Sequence, residues 1–378
     1  MPRPGLRPMR ALPLLEPRRT ALEKCVFCPK LCRSACPVSN AEPRETITPW
    51  GKMSLAWMVA HGDVPVDGTH AAPAWACTGC FACREACDHR NPVTDVLLDA
   101  RDALVRKGAA HPGAARMLAR FAQHEARTRV AARDLSLHHP GVRPEASQAL
   151  LVGCGYFLSA PTEARDAIDA AVALTREPVA LVSACCGLPL RLAGDARAFQ
   201  RHARNVARSL AKRSRVLVVD AGCALALKRR YAQDDVEIAS KVELLVEVAA
   251  RSRSPLARVA GAIDEPVRWH DPCQLGRGLG IYDAPRIVLT RALGRQPDEL
   301  DDRREQAACS GAGGLLPATM PEAARAITDA RLEAHAHAGG GRIVTACASS
   351  LVALRKRARG VAVDDLVSWI ARAARAFA

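Results

Sequence analysis

The chain has 378 residues, 49% of them apolar and 25% charged, which is enough for two or three folded domains with a sizeable core. No uninterrupted apolar run approaches the roughly 18 residues of a membrane span, and the opening stretch MPRPGLRPMRALPLLEPRR is broken by Pro and Arg before any signal-like segment develops, so a cytoplasmic location is expected. Formal net charge is +15, yet aromatics are only 4%, and without basic-aromatic interleaving the composition argues against a nucleic-acid partner.

Residues 1–20 read as a disordered basic tail. Residues 21–100 hold two runs, Cys25-x2-Cys28-x3-Cys32-x3-Cys36-Pro37 and Cys77-x2-Cys80-x2-Cys83-x3-Cys87, separated by a turn and helix beginning at Pro49-Trp50-Gly51. Fifteen cysteines without an export signal point to metal or redox chemistry rather than disulfides. Short C-x-x-C turns bring four thiolates to one side of an iron–sulfur cube and offer backbone amides to its sulfurs. In two-cluster ferredoxins the fourth Cys of each run ligates the other cluster, which predicts one [4Fe–4S] site at Cys25, Cys28, Cys32 and Cys87 and a second at Cys77, Cys80, Cys83 and Cys36. Each such cluster adds about two negative charges, so the working surface is less basic than the composition. Paired structural zinc sites are the competing reading, since zinc also takes four thiolates.

Residues 101–148 read as a helical connector ending in His138-His139-Pro140-Gly141. Beyond it, short apolar runs at 149–152, 179–182, 216–219, 267–270 and 342–345 alternate with Arg/Ala-rich helical stretches, the rhythm of an α/β fold with a mainly parallel sheet. A cysteine follows each run: Cys154, Cys185, Cys223, Cys273 and Cys347. Cysteines just past parallel strands converge at the carboxyl edge of a sheet, where open α/β folds bind ligands.

The spacing from Cys185 to Cys223 is 38 positions and recurs from Cys309 to Cys347, with Gly187 matching Gly311, Cys186 matching Ser310 and Ala226 matching Ser350. Residues 149–230 and 267–355 are therefore expected as two copies of one cysteine-bearing unit, set in domains spanning 149–266 and 267–378, the second carrying a C-terminal helix. On that helix Leu366, Ile370 and Phe377 share a side flanked by Arg372 and Arg375. Packing against the core or a partner is the main expectation, with a peripheral position at the inner membrane face as the lesser one. Ser310-Gly311-Ala312-Gly313-Gly314 lacks the Lys-Ser/Thr of a phosphate loop, and its glycines are expected to let the backbone approach a cluster or the other half.

The two N-terminal motifs, the Cys185-Cys186-Gly187 and Cys309-Ser310-Gly311 units and His270-Asp271-Pro272-Cys273 resemble the heterodisulfide-reductase-related iron–sulfur proteins over residues 21–355. That family includes the iron–sulfur subunits of glycolate oxidase, lactate-utilising systems and anaerobic glycerol-3-phosphate dehydrogenase. The resemblance implies an α + α/β fold: an α-helical ferredoxin-like domain, then two repeated α/β cysteine-rich half-domains with mainly parallel sheets. It implies electron transfer from an FAD-linked dehydrogenase subunit toward a quinone or other carrier, with cysteines as ligands and no catalytic side chain. A full cysteine-rich motif has five cysteines. The first copy keeps Cys154, Cys185, Cys186 and Cys223 but has Ala226, leaving four thiolates for a third cluster or a zinc ion. The second keeps Cys273, Cys309 and Cys347 but has Ser310 and Ser350, so any further ligand must come from His270, water or a partner. A catalytic heterodisulfide or thiol reductase acting at the cysteine-rich site is the rival function, and a non-redox scaffold the third.

Overall fold

In a computed structural model, the described residues are 7–28, 32–251, 253–259 and 264–377. The chain divides into two compact units, one made of residues 1–121, 189–199 and 309–329, the other of 122–188, 200–308 and 330–378.

The first unit is helical. The segment expected as a disordered tail lies outside the described residues up to residue 6, but from Arg7 onward it is folded. A 3-10 turn at Pro13–Arg18 leads into helix α1 (Arg19–Val26), and Met9, Leu12 and Leu15 are buried with Leu22. The segment folds because Met9, Leu12 and Leu15 recur every three residues and Leu22 follows seven later, and burying each gains roughly 1.5–3 kcal/mol, more than the basic character of the segment suggests. Helix α2 (Pro49–His61) starts where Thr48 Oγ1 accepts the Gly51 amide at 3.0 Å, with Pro at the first turn, and stops at Gly62 in the left-handed region. Helix α3 (Val93–Arg106) packs Val96, Leu97, Ala100 and Leu104 against Met53, Val59 and Trp75.

Helix α3 also fastens the two distant segments that complete the unit. Asp102 accepts the Ala196 amide at 3.0 Å and Asp99 pairs with Arg191; outside the helix, Thr319 Oγ1 donates to the Trp75 carbonyl at 3.3 Å. Arg101 is the hub. Only 1% exposed, it donates to the carbonyls of Ala74 (2.9 Å), Leu192 (2.8 Å), Gly314 (3.1 Å) and Cys77 (3.1 Å).

The second unit holds two all-parallel sheets. The first contains β1 (Gln148–Leu151), β2 (Ala180–Leu181), β3 (Arg215–Val218) and β4 (Val242–Leu244) in the order β2-β1-β3-β4; the second contains β5 (Val267–Trp269), β6 (Arg342–Thr345) and β7 (Val363–Asp365) in the order β5-β6-β7. The sequence repeat is thus a structural one: β1-β3-β4 and β5-β6-β7 have the same order, and an isolated parallel bridge from Arg268 to Asp298 stands beside β5 as β2 stands beside β1.

Helix α4 (Pro112–His138) precedes the first sheet, α5 (Cys154–Ser159) and α6 (Pro161–Thr175) follow β1, and α7 (Ala221–Leu225) follows β3. Helices α8 (Ala348–Arg357) and α9 (Leu366–Phe377) follow β6 and β7. One carboxylate serves both copies: Asp220 Oδ1 accepts the Gly222 and Cys223 amides at 2.8 and 3.1 Å, while Oδ2 accepts the Ala348 amide at 3.0 Å. Helix α9 packs on α6, with Leu366 and Ile370 buried and Arg375 paired to Asp169, so its apolar face belongs to the core; Phe377 alone of the three apolar residues stays exposed. Among the described residues no helix is long and apolar enough to cross a membrane.

Candidate metal centres

In the first unit, Cys36, Cys77, Cys80 and Cys83 line one small cavity, walled by Pro37, Pro49, Phe81, Val93 and Leu97. Lys52, 2% exposed on α2, reaches into it and donates from Nζ to Cys36 Sγ at 3.4 Å. Burial, then the neighbouring Cys77, Cys80 and Cys36 thiols, push the Cys83 thiol far up. The other four thiols also act on one another. Burial first, then Cys32, Cys87 and Cys28, push Cys25 up to about 12, although Asn91 Nδ2 donates to its sulfur at 2.9 Å. Burial, then Cys87 and Cys28, push Cys32 up to about 11.

The structure therefore brings together Cys25, Cys28, Cys32 and Cys87 in one group and Cys36, Cys77, Cys80 and Cys83 in another. The groups adjoin, since Cys32 acts on both Cys36 and Cys83. Cys25, Cys32 and Cys83, thiols that burial and neighbouring sulfurs push up, become thiolates in such company around a cation. An apolar-walled hollow lined by four thiols, with one buried ammonium against a sulfur, fits a cluster that is anionic overall.

The glycine-rich stretch of the second copy closes on the same place. Gly313 and Gly314, the latter at φ +65°, press against the backbone of Cys77 and Thr78 so closely that a Cβ at either would strike a carbonyl oxygen. The glycines do serve a close backbone approach, but it is made to the second C-x-x-C loop of the first unit and not to the other cysteine-rich half.

In the second unit, Cys154 and Cys185 Sγ lie 3.6 Å apart. Hydrogen bonds from Cys185 and then Cys223 hold Cys186 well below the usual thiol range; Cys185 is pushed up by its bonds to Cys154 and then Cys186, and Cys223 by its bond to Cys186. Hydrogen bonding to Cys185, then His124, brings Cys154 down to about 7. All four predicted thiols of the first copy thus form one group, and His124 on α4 joins it: the ligand atoms of His124, Cys154 and Cys185 all lie within 4.8 Å of one another. Four thiols plus an imidazole fit a metal centre by donor chemistry. The Cys-x-Gly turn is shared by both copies, the amides of Gly187 and Gly311, each at φ +79°, donating to Cys185 and Cys309 Sγ at 3.4 and 3.3 Å. A left-handed backbone lets the amide fold back onto the sulfur, which explains why glycine stands at both matched positions.

The second copy is poorer in donors. Cys347 and Cys273 are electrostatic neighbours, and Cys347, pushed up mainly by burial, takes hydrogen bonds from Ser350, the residue standing where a further thiol would be. Cys309 belongs to the first unit rather than the second. His270 is held as a core residue: Arg331 Nε donates to its Nδ1 at 3.1 Å, and burial followed by that guanidinium brings its pKa down to about 3. Asp271 buttresses the fold, paired with both Arg286 amino nitrogens at 2.9 and 2.8 Å and accepting from Trp269 Nε1 at 2.9 Å.

Lys52, Asn91, Arg101 and His124 did not stand out in the sequence. A lysine inside the apolar run Trp50–Val59 was a signal; the other three lie in unremarkable helical or loop contexts.

Residues 21–91 match a 4Fe-4S dicluster domain, and residues 149–228 and 267–355 match a cysteine-rich domain twice. Among characterised proteins, the chain is 31% identical over 164 residues to one subunit of the dihydromethanophenazine:CoB--CoM heterodisulfide reductase of Methanosarcina mazei, covering 39% of this chain and 38% of the relative. It is 24% identical over 338 residues to one subunit of the fumarate reductase (CoM/CoB) of Methanothermobacter marburgensis, covering 86% of this chain and 66% of that one. It is 28% identical over 263 residues to EtfAB:quinone oxidoreductase of Syntrophomonas wolfei, covering 64% and 36%. The matched part spans less than half the length of the heterodisulfide reductase relatives.

Proposed function

As a member of the iron–sulfur proteins related to heterodisulfide reductase, with a 4Fe-4S dicluster domain and two cysteine-rich domains, this chain is, we propose, an electron-transfer subunit. It relays electrons between a flavin-dependent dehydrogenase and a quinone or other carrier. The observation that carries the reading is the sorting of eight N-terminal thiols into two adjoining groups of four. In a ferredoxin-like arrangement, Cys25, Cys28, Cys32 and Cys87 hold one [4Fe–4S] cluster and Cys77, Cys80, Cys83 and Cys36 the other. Bound there, the clusters supply reversible one-electron chemistry. The side chains do the rest: thiolates hold the iron, Lys52 and the loop amides offset negative charge, and Phe81, Val93 and Leu97 exclude water. The first cysteine-rich half holds a third metal centre, cluster or zinc, at Cys154, Cys185, Cys186 and Cys223. In the second half Cys273 and Cys347 form at most a partial set. The named relatives include subunits of oxidoreductases, one of them acting on quinone, which supports a flavoprotein partner and a quinone-side acceptor.

Anaerobic purification, reconstitution and iron, sulfide and paramagnetic resonance analysis test this. About eight irons per chain in two interacting clusters are expected; fewer than about four, or zinc in their place, would refute it. The thiolate-favouring environment of Cys186 supports the second reading, a heterodisulfide or thiol reductase, but Cys186 is only 3% exposed. Disulfide reduction driven by a reduced viologen and abolished by Cys186→Ala would favour that reading.

A further inference from the structure

We propose that His124 is a metal ligand, binding one zinc-class divalent ion together with Cys154 and Cys185. This rests on the reading that the first cysteine-rich half holds metal, and not on the electron-transfer role. Zinc and ferrous iron both accept imidazole and thiolate in one coordination sphere.

The spacing carries the argument. Two sulfurs each about 2.3 Å from one tetrahedral ion lie about 3.8 Å apart; Cys154 and Cys185 Sγ are 3.6 Å apart. The imidazole lies within 4.8 Å of both, so one atom placed among the three can touch all of them. Among the described residues, this is the one group of three His, Cys, Asp or Glu ligand atoms gathered so closely. Cys186, hydrogen-bonded to Cys185 and Cys223, is the thiol that completes a four-coordinate set.

Helix α4 is also tied to the loop that carries Cys185. Thr128 Oγ1, fully buried, donates to the His124 carbonyl at 2.9 Å. The next residue, Glu125, stands 3.7 Å from His202 Nε2, whose ring lies 2.7 Å from the Cys185 carbonyl oxygen. The helix bearing the imidazole and the loop bearing the thiol are thus joined through a second contact one residue away. A histidine in passing contact with a thiol would not need such a tie, whereas a ligand set drawn from separate elements does. His270 has no comparable role, because Arg331 occupies its Nδ1.

The test is X-ray absorption at the zinc and iron edges on full-length, anaerobically prepared protein, with metal analysis of His124→Ala, His124→Cys and Cys185→Ala. The expected result is one metal ion per chain lost in Cys185→Ala, with imidazole scattering that vanishes in both His124 variants. His124→Cys should keep the ion with an added sulfur scatterer, which covers the case in which His124→Ala fails to fold. If the metal is iron, histidine-nitrogen coupling in the paramagnetic resonance spectrum of protein labelled with 15N-histidine replaces the zinc-edge reading, and the same losses are expected. A full metal complement without imidazole scattering or coupling, or with scattering or coupling that survives His124→Ala, would overturn the proposal. Metal content identical in wild type and Cys185→Ala would instead overturn the underlying reading that this half binds metal. Cys80→Ala, which depletes the N-terminal irons, is expected to leave the site loaded.

Discussion

Replacing Arg101 with Met keeps the length of the side chain but removes the buried guanidinium that four carbonyls share. Hydrogen bonds from an ionised donor contribute about 1.5–3 kcal/mol each, but these four share one group and do not add. Their sum is offset by the cost of burying the charge, which shows as a pKa brought down to about 10 by desolvation. Breaking a buried charged network from one side costs about 3–5 kcal/mol, and a value of about 4 is expected here. With a urea dependence of about 2 kcal/mol/M for a unit of this size, the midpoint falls by about 2 M. The assay is urea denaturation of reconstituted protein followed by cluster absorbance, with hydrogen exchange of the Cys77–Gly79 and Gly313–Leu315 amides as the local readout. Arg101→Lys, which keeps the charge without the planar fork, should fall between the two. A Met variant within about 0.5 kcal/mol of wild type, a difference typical of neutral surface changes, with unchanged exchange in both loops, would refute the argument.

Lys52→Met removes the positive charge donated to Cys36 Sγ, so the midpoint potential of the cluster proposed there should fall by tens of millivolts, since about 59 mV corresponds to 1.4 kcal/mol for one electron; an unchanged redox titration would count against the contact. Gly314→Ala forces a Cβ toward the Cys77 carbonyl from a left-handed backbone, and iron analysis should show about half the N-terminal complement lost, one of two clusters. Asp365 is raised to about 7 by burial, with Glu163 and Asp220 adding to the shift and hydrogen bonds from the Val367 amide and Tyr156 opposing it. Its contribution is therefore fully present below about pH 4 and lost as pH rises through about 7, a span on the order of 4 kcal/mol. Thermal melts of wild type and Asp365→Asn at pH 5 and pH 8 should show the variant gaining relative stability at the higher pH; parallel profiles would contradict this.

The strands that could be read were those with continuous apolar runs. Ala149–Val152, Val216–Val219 and Ile343–Val344 are covered on both faces, and a doubly buried strand needs no alternation to be recognised. β4 and β7 escaped because Val242-Glu243-Leu244 and Val363-Asp364-Asp365 are three residues long and half polar, as suits the outer strand of a sheet. The repeat was legible because the chemistry of the Cys-x-Gly turn fixes both residues at once. Linear spacing could not reveal that residues 189–199 and 309–329 join the N-terminal helices, because the ties are made by Asp99, Arg101 and Asp102, ordinary residues of an amphipathic helix. His124 was invisible for a related reason: it lies 30 positions before Cys154, and only the fold brings them together.

That borrowing of distant segments affects how the protein is made. The four carbonyls on Arg101 come from either side of a long intervening stretch, so the unit around the N-terminal thiols is complete only once residues 309–329 have been synthesised. At about 5–20 residues per second, the roughly 200 residues between occupy about 10–40 s. Throughout that interval eight cysteines wait in an incomplete fold, open to oxidation or to the wrong metal. On the proposed two-cluster reading, cluster loading would then be late, or guarded by a helper, and a fragment cut after the second cysteine run would hold iron poorly even with every thiol present.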